Sequence, residues 1–256
     1  MVEPVLQLQD VGKDFGAVTA LARVSFDLAP GEVLAIAGDN GAGKSTLVKI
    51  ITGVHRASSG RMRVNGGDVD FHSPKDSAAA GVAAVYQDLS LCDNLSAAAN
   101  LMLGQEPRLP GIRGRLGMLD IHRMHRDARA ALTALGIRTL ASTETRVMYL
   151  SGGQRQAIAI VRASLEDANI LVLDEPTAAL GIRERELVYD LIESLKAREY
   201  GIILVSHSIP EILRLATRAM ILRLGGVAAT FHSAEMNGDA IVAAITGSTT
   251  ATGVRT

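Results

Sequence analysis

The apolar and polar positions along the chain follow the period of a strand in some segments and of a helix in others. Residues 7–11 and 18–28 alternate between apolar and polar side chains, which is typical of half-buried strands. Residues 33–37 form a continuous apolar run of strand length, as expected of a strand buried on both faces. A glycine-rich segment follows, and apolar residues at helical spacing then continue up to Gly53. The pattern therefore predicts a strand, a glycine-rich loop and a helix in succession.

The middle of the chain, residues 88–165, has a different pattern. It is rich in Ala and Leu and poor in β-branched residues. Asp120 stands where a helix N-cap is expected, and apolar residues recur every three or four positions from there to Gly136. We interpret this stretch as a mostly helical insert.

The rest of the chain alternates between predicted strands and helices. The further predicted elements are a hairpin over 61–71, a short helix over 74–80, strands over 82–86, 170–173 and 202–206, helices over 183–200 and 211–217, and a hairpin over 220–231. We expect the tail from residue 233 to be short and frayed. Because helices and strands alternate, the predicted fold class is α/β, with a mainly parallel sheet covered by helices.

The composition narrows the class of protein. The chain has 256 residues, of which 48% are apolar and 21% charged, and its net charge is −1, which excludes a disordered chain. The near-zero charge and the scarcity of aromatic residues argue against nucleic acid as the main partner. The single cysteine, Cys92, cannot form an internal disulfide, which favours a reducing, cytosolic compartment. No apolar run approaches the roughly 20 residues of a spanning helix, so we expect a soluble chain.

The glycine-rich segment matches the full phosphate-loop pattern, with Gly38, Gly43, Lys44 and Ser45 at the required spacing. Its glycines let backbone N–H groups turn toward phosphate oxygens, and the helix that follows adds its positive N-terminal end. Lys44 supplies a charge for the β- and γ-phosphates, and the Ser45 hydroxyl is a ligand for Mg²⁺. The predicted phosphate-binding residues are Gly38, Asp39, Asn40, Gly41, Ala42, Gly43, Lys44, Ser45 and Thr46.

Two adjacent acids complete this chemistry. Asp174 ends the predicted strand over 170–173, and the carboxyl ends of parallel strands are where ligands of such sheets bind. A carboxylate there can hold Mg²⁺, directly or through water. Glu175, the next residue, is placed to act as general base for an attacking water. The sequence therefore predicts nucleotide hydrolysis or phosphoryl transfer.

A third motif lies shortly before this strand and consists of Leu150, Ser151, Gly152, Gly153 and Gln154. The serine is a good N-cap and the glycines expose backbone N–H groups, which makes a second anion site at a helix start. With the two preceding motifs, it makes the chain resemble the ATP-binding subunits of ABC transporters, whose signature is Leu-Ser-Gly-Gly-Gln. The resemblance extends over nearly the whole chain.

The resemblance implies a fold and a division of the chain. It implies a P-loop NTPase fold, with a RecA-like core, an antiparallel β subdomain and an inserted helical subdomain. Within a single ATP-binding domain, residues 1–87 and 166–232 would form the nucleotide-binding core with the β subdomain. Residues 88–165 would form the helical subdomain with the signature, and 233–256 a short tail.

The resemblance also implies roles for three further residues, each uninformative when taken alone. Gln87 matches the glutamine that touches Mg²⁺ and senses the membrane partner. His207 matches the histidine that positions the γ-phosphate and the water. Phe15 matches the aromatic residue that stacks on adenine. The predicted catalytic residues are therefore Glu175, His207, Gln87 and Lys44, the metal ligands are Ser45, Gln87 and Asp174, and the cofactors are ATP and Mg²⁺.

As for partners, the resemblance implies a head-to-tail homodimer, in which Ser151, Gly152, Gly153 and Gln154 of one copy close over the ATP of the other. It also implies an integral membrane permease that holds the chain on the cytoplasmic face of the inner membrane. The segments 95–101, 118–120 and 176–181 resemble those of bacterial monosaccharide importers, which work with a periplasmic or extracellular sugar-binding protein.

The chain departs from the family pattern at two positions. Gly181 stands where the family usually has Asp, which puts in doubt the usual contact across the dimer, and Ala99 stands where an acid is common. We nevertheless expect a functional active site, because Asp174, Glu175 and His207 are all present.

Other interpretations remain open. A soluble ABC-type ATPase of DNA repair or translation is disfavoured by the absence of zinc cysteines, a coiled-coil insert or a basic arm. A small-molecule kinase would leave the residues of the signature unexplained. His122 and His125 could share a helix face, but a metal site needs more ligands than these two.

Overall fold

The computed structural model describes residues 3–137, 140, 142–165 and 167–248. The strands are β1 (Leu6–Phe15), β2 (Val18–Leu28), β3 (Val33–Gly38), β4 (Ser59–Val64), β5 (Gly67–Val69), β6 (Val82–Val85), β7 (Ile170–Asp174), β8 (Gly201–Val205), β9 (Arg218–Arg223) and β10 (Gly226–His232). The helices are α1 (Lys44–Ile51), α2 (Pro74–Ala79), α3 (Ala97–Leu101), α4 (Ile112–Arg115), α5 (Ile121–Ala134), α6 (Gly152–Ser164), α7 (Ile182–Lys196), α8 (Ile209–Leu215) and α9 (Gly238–Thr246). Within the described ranges, no helix is both long and apolar enough to cross a membrane.

The chain divides into two compact units. The first comprises Met1–Tyr86, Glu166–Glu175 and Lys196–Thr256, and the second comprises Gln87–Leu165 and Pro176–Leu195. The segment 176–195, which the sequence analysis assigned to the nucleotide-binding core, thus groups with the helical insert.

A six-stranded sheet with the order β10-β9-β3-β8-β7-β6 forms the centre of the first unit. Neighbouring strands are parallel except for the β9–β10 hairpin at one edge. Every residue of β3 and β8 is buried, which explains why both segments are continuous apolar runs. The predicted mainly parallel α/β sheet is confirmed. Because β3, β8 and β7 are parallel, their carboxyl ends lie at the same end of the sheet.

A second sheet in the same unit is antiparallel, with the order β2-β1-β4-β5. Its β4–β5 hairpin turns at Asn65 and Gly66, because Val64 pairs directly with Gly67. Both turn residues have positive φ angles, 50° and 77°, as the preferred two-residue hairpin turn requires. This sheet corresponds to the antiparallel β subdomain that the family resemblance implied.

The second unit is built from helices joined by irregular segments. Asp120 caps α5 by accepting the N–H of Arg123, as its position in the sequence predicted. The buried amide of Asn100 accepts the N–H of Cys92 at 2.8 Å and donates to the carbonyls of Cys92 and Ser96. These bonds satisfy the backbone of the loop that precedes α3.

The prediction of a frayed tail is wrong for residues 238–246, which form α9. Asn237 caps this helix through the N–H of Ala240, and Gly247 ends it in the left-handed conformation. The buried side chain of Ile241 packs with Ile212 and other apolar residues of the first unit. Residues 249–256 of the predicted tail lie outside the described residues.

Candidate functional site

The phosphate loop begins at the last residue of β3, Gly38, and leads into α1 at Lys44. Gly38 has a φ of 151°, and a Cβ atom there would lie 2.2 Å from the carbonyl oxygen of Leu222. Gly43 has a φ of 107°, and a Cβ atom there would lie 2.9 Å from the carbonyl oxygen of Ala20. Both positions thus exclude any side chain, so the turn that directs backbone N–H groups toward a ligand depends on these glycines.

The Lys44 side chain folds back over its own loop. Its Nζ donates to the carbonyl of Gly38 at 2.7 Å and to the carbonyl of Asp39 at 2.9 Å. The loop is closed further by the N–H of Ala42, which donates to the same Asp39 carbonyl at 3.1 Å. Because an ammonium group has three donor hydrogens, Lys44 can keep contact with the loop and still reach a phosphate oxygen.

Asp174 is the last residue of β7 and is half-buried. Burial raises the pKa of its carboxyl group above the usual range, the negative charge of Glu175 raises it further, and the positive charge of Lys44 lowers it. Lys44 and Asp174 thus lie in the same unit, close enough for the charge of Lys44 to act on the Asp174 carboxyl group.

Glu175 and His207 form a pair across β7 and β8. The Oε1 atom of Glu175 lies 3.0 Å from Nδ1 of His207, and the N–H of Glu175 donates to the carbonyl of Val205 at 2.9 Å. Glu175 has a φ of 50°, in the left-handed region that few residues other than glycine adopt. The two side chains are 27% and 66% exposed, so solvent and a ligand can reach both.

Ser45 and Asp174 are the first-unit residues that could hold Mg²⁺. Their hydroxyl and carboxylate oxygens are the donor type that Mg²⁺ prefers, and Mg²⁺ binds few protein ligands because it retains waters. A cation would also offset the burial and the like charge that disfavour ionised Asp174. Within the described ranges, no three or more His, Cys, Asp or Glu side chains are grouped so that they could hold a metal. The donor set fits Mg²⁺ and does not resemble a closed structural metal site.

Phe15 lies at the end of β1 and is 45% exposed. Its ring meets the His55 ring edge-on, with 5.3 Å between the centroids, and Nζ of Lys13 lies 5.0 Å from the Phe15 centroid. An exposed aromatic ring beside two groups that can bear positive charge can stack on a base that carries a phosphate chain. Lys13 and His55 are not recognisable as site residues from the sequence, because nothing in their spacing marks them.

The signature motif lies in the second unit, at the start of α6. Ser151 Oγ accepts the N–H of Gln154 at 3.3 Å, while Gln154 Oε1 accepts the N–H of Ser151 at 3.0 Å. This reciprocal capping box fixes the first turn of α6 and confirms Ser151 as its N-cap. Gly152 and Gly153 follow, and a Cβ atom on Gly153 would lie 2.8 Å from Cβ of Glu184.

Glu184 is a residue of this region that the sequence analysis missed. Its Oε1 accepts the N–H of Gly153 at 3.3 Å and its Oε2 accepts the N–H of Gly181 at 3.1 Å. The N–H groups of Gly181 and Gly153, in that order, hold the pKa of the Glu184 carboxyl below its usual range. The available signal was an acid three residues after Gly181, at the start of a predicted helix.

The predicted site residues thus fall into two groups. The first unit contains Phe15, the phosphate loop, Asp174, Glu175 and His207, and the last two are in direct contact. The second unit holds Ser151, Gly152, Gly153, Gln154 and the exposed Gln87. His125, outside both groups, has its Nδ1 atom 3.0 Å from Oγ1 of Thr143.

Comparison with known proteins supplies the family. The sequence profile of the ABC transporter family matches residues 21–178. The chain is 44% identical over 224 residues to the fructose import ATP-binding protein FrcA of Rhizobium meliloti, covering 87% of this chain and 86% of that protein. It is 42% identical over 244 residues to the ribose import ATP-binding protein RbsA 2 of Rubrobacter xylanophilus, covering 95% of this chain but 46% of that protein. The chain therefore spans about half the length of that ribose import relative.

The fold agrees with these relatives. The dimeric structure of the ATP-binding cassette MJ0796, in a post-hydrolysis state bound to ADP and Pi, matches this fold with a TM-score of 0.71. The two chains are 24% identical, and the match covers 89% of this chain and 98% of that one. A phosphate loop, a pair of acids after a core strand and a capped signature helix all lie on this fold. The chain belongs to the ABC transporter family and is an ATPase of that family.

Proposed function

We propose that the chain is the ATP-binding and ATP-hydrolysing subunit of a bacterial importer for a monosaccharide. The proposal is supported by its relatives, whose names specify fructose import and ribose import. A separate integral membrane permease would carry the sugar, and a periplasmic or extracellular binding protein would deliver it. The chain itself would lie on the cytoplasmic face of the inner membrane, attached through the permease.

The observation that carries the enzymatic part is the 3.0 Å contact between Oε1 of Glu175 and Nδ1 of His207. The Glu175 carboxylate acts as general base toward the attacking water, because it lies next to the metal-binding position. His207 orients that carboxylate through Nδ1 and keeps Nε2 for the γ-phosphate. Lys44, at the loop, neutralises charge on the β- and γ-phosphates.

Mg²⁺ belongs to this proposal as a second cofactor beside ATP. Ser45 and Asp174 would hold it, with Gln87 as a further ligand. When bound, it neutralises phosphate charge and aligns the β- and γ-phosphates. Phe15 would stack on the adenine, while the residues from Gly38 to Thr46 would bind the phosphates.

Two copies of the chain would assemble head to tail. The capped start of α6, with Ser151, Gly152, Gly153 and Gln154, offers an anion site that would close over the ATP of the partner copy. ATP-driven closure of this dimer and its opening after hydrolysis would move the permease between its two faces.

The test replaces Glu175 by Gln, with Glu235→Gln as a matched control at an exposed acid of the same unit. We expect Glu175→Gln to bind ATP but to hydrolyse it about 100-fold more slowly or worse, since general-base catalysis contributes about 10²–10⁴-fold. In a strain whose only copy carries Glu175→Gln, uptake of labelled fructose or ribose should cease.

Two results would contradict the proposal. Hydrolysis at the wild-type rate by Glu175→Gln would remove Glu175 as the base. Stimulation of hydrolysis by DNA or ribosomes, with normal sugar uptake in the mutant strain, would favour the soluble ATPase of repair or translation instead.

A further inference from the structure

Glu211 is a buried acid that the hydrolytic site described above does not use. It lies in the first turn of α8 and is 1% exposed, and within the described ranges no other acidic or basic residue is buried to this degree. A carboxylate removed from water is stable only if polar partners replace its hydration. The partners of Glu211 therefore indicate what it is retained to hold.

One partner of Glu211 is the hydroxyl group of Ser206. Ser206 Oγ donates to Oε2 of Glu211 at 2.5 Å, and the same Oγ accepts the N–H of Ser208 at 3.0 Å. Ser206 is itself 2% exposed, and its N–H donates to the carbonyl of Ile36 in β3 at 3.3 Å. The hydroxyl group of Ser206, the residue before His207, therefore binds both the N–H of Ser208, the residue after it, and the buried Glu211 carboxylate.

The orientation of the His207 side chain depends on this arrangement, because its ring has few other contacts. Its side chain is 66% exposed, and its contact with Glu175 is the one polar contact that the described residues give its ring. The backbone of residues 206–208 sets the direction of the Cα–Cβ bond of His207, and therefore which of its rotamers can bring Nδ1 to Glu175. A carboxylate that fixes this backbone therefore determines whether Nδ1 of His207 stays within reach of Glu175.

We propose that Glu211 is a positioning residue for the Glu175–His207 pair, acting through Ser206. The proposal rests on the proposed function, in which this pair carries out ATP hydrolysis. It assigns to Glu211 no contact with ATP, so its loss should lower kcat and leave nucleotide affinity almost unchanged. A merely structural role would lower the amount of folded protein and affect both quantities together.

The experiment compares Glu211→Ala, Glu211→Gln and Ser206→Ala in the full chain. The matched control is Ser77→Ala, which removes a buried hydroxyl of the same unit that bonds to Thr52 and Pro74, away from the site. For each variant, kcat and KM for ATP are measured, together with the dissociation constant for ATP. Imidazole ¹⁵N resonances report on His207, which is assigned from the signal that disappears in His207→Ala.

We expect Ser206→Ala and Glu211→Ala to lower kcat about 10- to 100-fold, as small displacements of catalytic groups do, with ATP affinity within about twofold of wild type. Glu211→Gln keeps an acceptor for Ser206 and should recover most of the activity. The Nδ1 resonance of His207 should shift in the two alanine variants and stay unchanged in Ser77→Ala and Glu211→Gln.

An unchanged His207 resonance in Ser206→Ala would overturn the proposal, as would equal losses of kcat and ATP affinity. The comparison holds even if Glu211→Ala does not fold, because Ser206→Ala breaks the same link. If Glu175→Gln hydrolyses ATP normally, the proposed function fails, whereas the resonance of His207 still tests whether Glu211 positions it.

Discussion

Glu184 and Gly153 join two helices of the second unit: the Glu184 carboxylate, near the start of α7, accepts the N–H of the second signature glycine at 3.3 Å. The other carboxylate oxygen accepts the N–H of Gly181, the residue at which the chain departs from the usual family Asp. The residue at the position of the family Asp therefore has a structural role here. The backbone N–H of Gly181 binds the Glu184 carboxylate, which also binds the signature helix.

Replacement of Glu184 by Ala should lower the melting temperature at neutral pH, because the N–H groups of Gly153 and Gly181 lose their acceptor. The control is Glu186→Ala, which removes an exposed acid from the same helix. Thermal unfolding followed by circular dichroism measures both.

The same contact predicts a pH dependence. Because folding lowers the pKa of Glu184, its contribution to stability is present above the pKa of the unfolded chain and is lost as the pH falls through the folded value. The difference in melting temperature between wild type and Glu184→Ala should therefore be full at neutral pH and vanish in strong acid. A difference that persists unchanged into acid would contradict this explanation.

Replacement of Phe15 by Ala should weaken ATP binding about 10-fold, since stacking on a base contributes about 1–3 kcal/mol. The fold should be unaffected, because the side chain is 45% exposed at the end of β1. Phe15→Tyr should retain affinity, and Val18→Ala, which alters the exposed residue paired with Phe15, serves as the control. Equal affinity of Phe15→Ala and wild type, in a titration with fluorescent ATP, would place adenine elsewhere.

Replacement of Asp174 by Asn should raise the melting temperature of the nucleotide-free chain at neutral pH while it abolishes hydrolysis. Folding raises the pKa of this carboxyl, so its ionised form destabilises the folded state, and this penalty grows as the pH rises through the folded value. The stabilisation should therefore shrink in acid, where Asp174 is protonated in both states. Asp190→Asn, at an exposed acid of α7, is the control. A lower melting temperature for Asp174→Asn than for wild type would contradict this explanation, because it would show that the attraction of Asp174 to Lys44 outweighs the cost of its burial.

The sequence predicted most of what is local in this structure. The β3–loop–α1 succession, the hairpin within residues 61–71 and the Asp120 cap follow from periodicity and turn chemistry, which act over a few residues. Two of the missed residues, Glu184 and His55, contact partners that lie far away along the chain. Glu184 contacts Gly153, 31 residues earlier in the chain, and no pattern of spacing encodes such a contact.

Helix α9 was missed for a different reason. Its cap, Asn237, is a recognisable start signal, but the segment has only one fully buried residue, Ile241, and the chain beyond it is polar. Its stability comes from packing on Ile212 and its neighbours in the first unit. A short helix of this kind is formed by tertiary contact and not by its own propensity.

The left-handed backbone conformation of Glu175 affects how this protein would respond to selection for thermal stability. A glutamate pays about 1 kcal/mol to adopt that conformation, whereas glycine adopts it freely and asparagine more readily than most. A screen that rewards only thermal resistance would therefore accept glycine or asparagine at position 175 and enrich chains without the proposed general base. Thermal stability and ATP turnover must therefore be measured together in any such screen, because at this position the proposed base and the most stable backbone call for different residues.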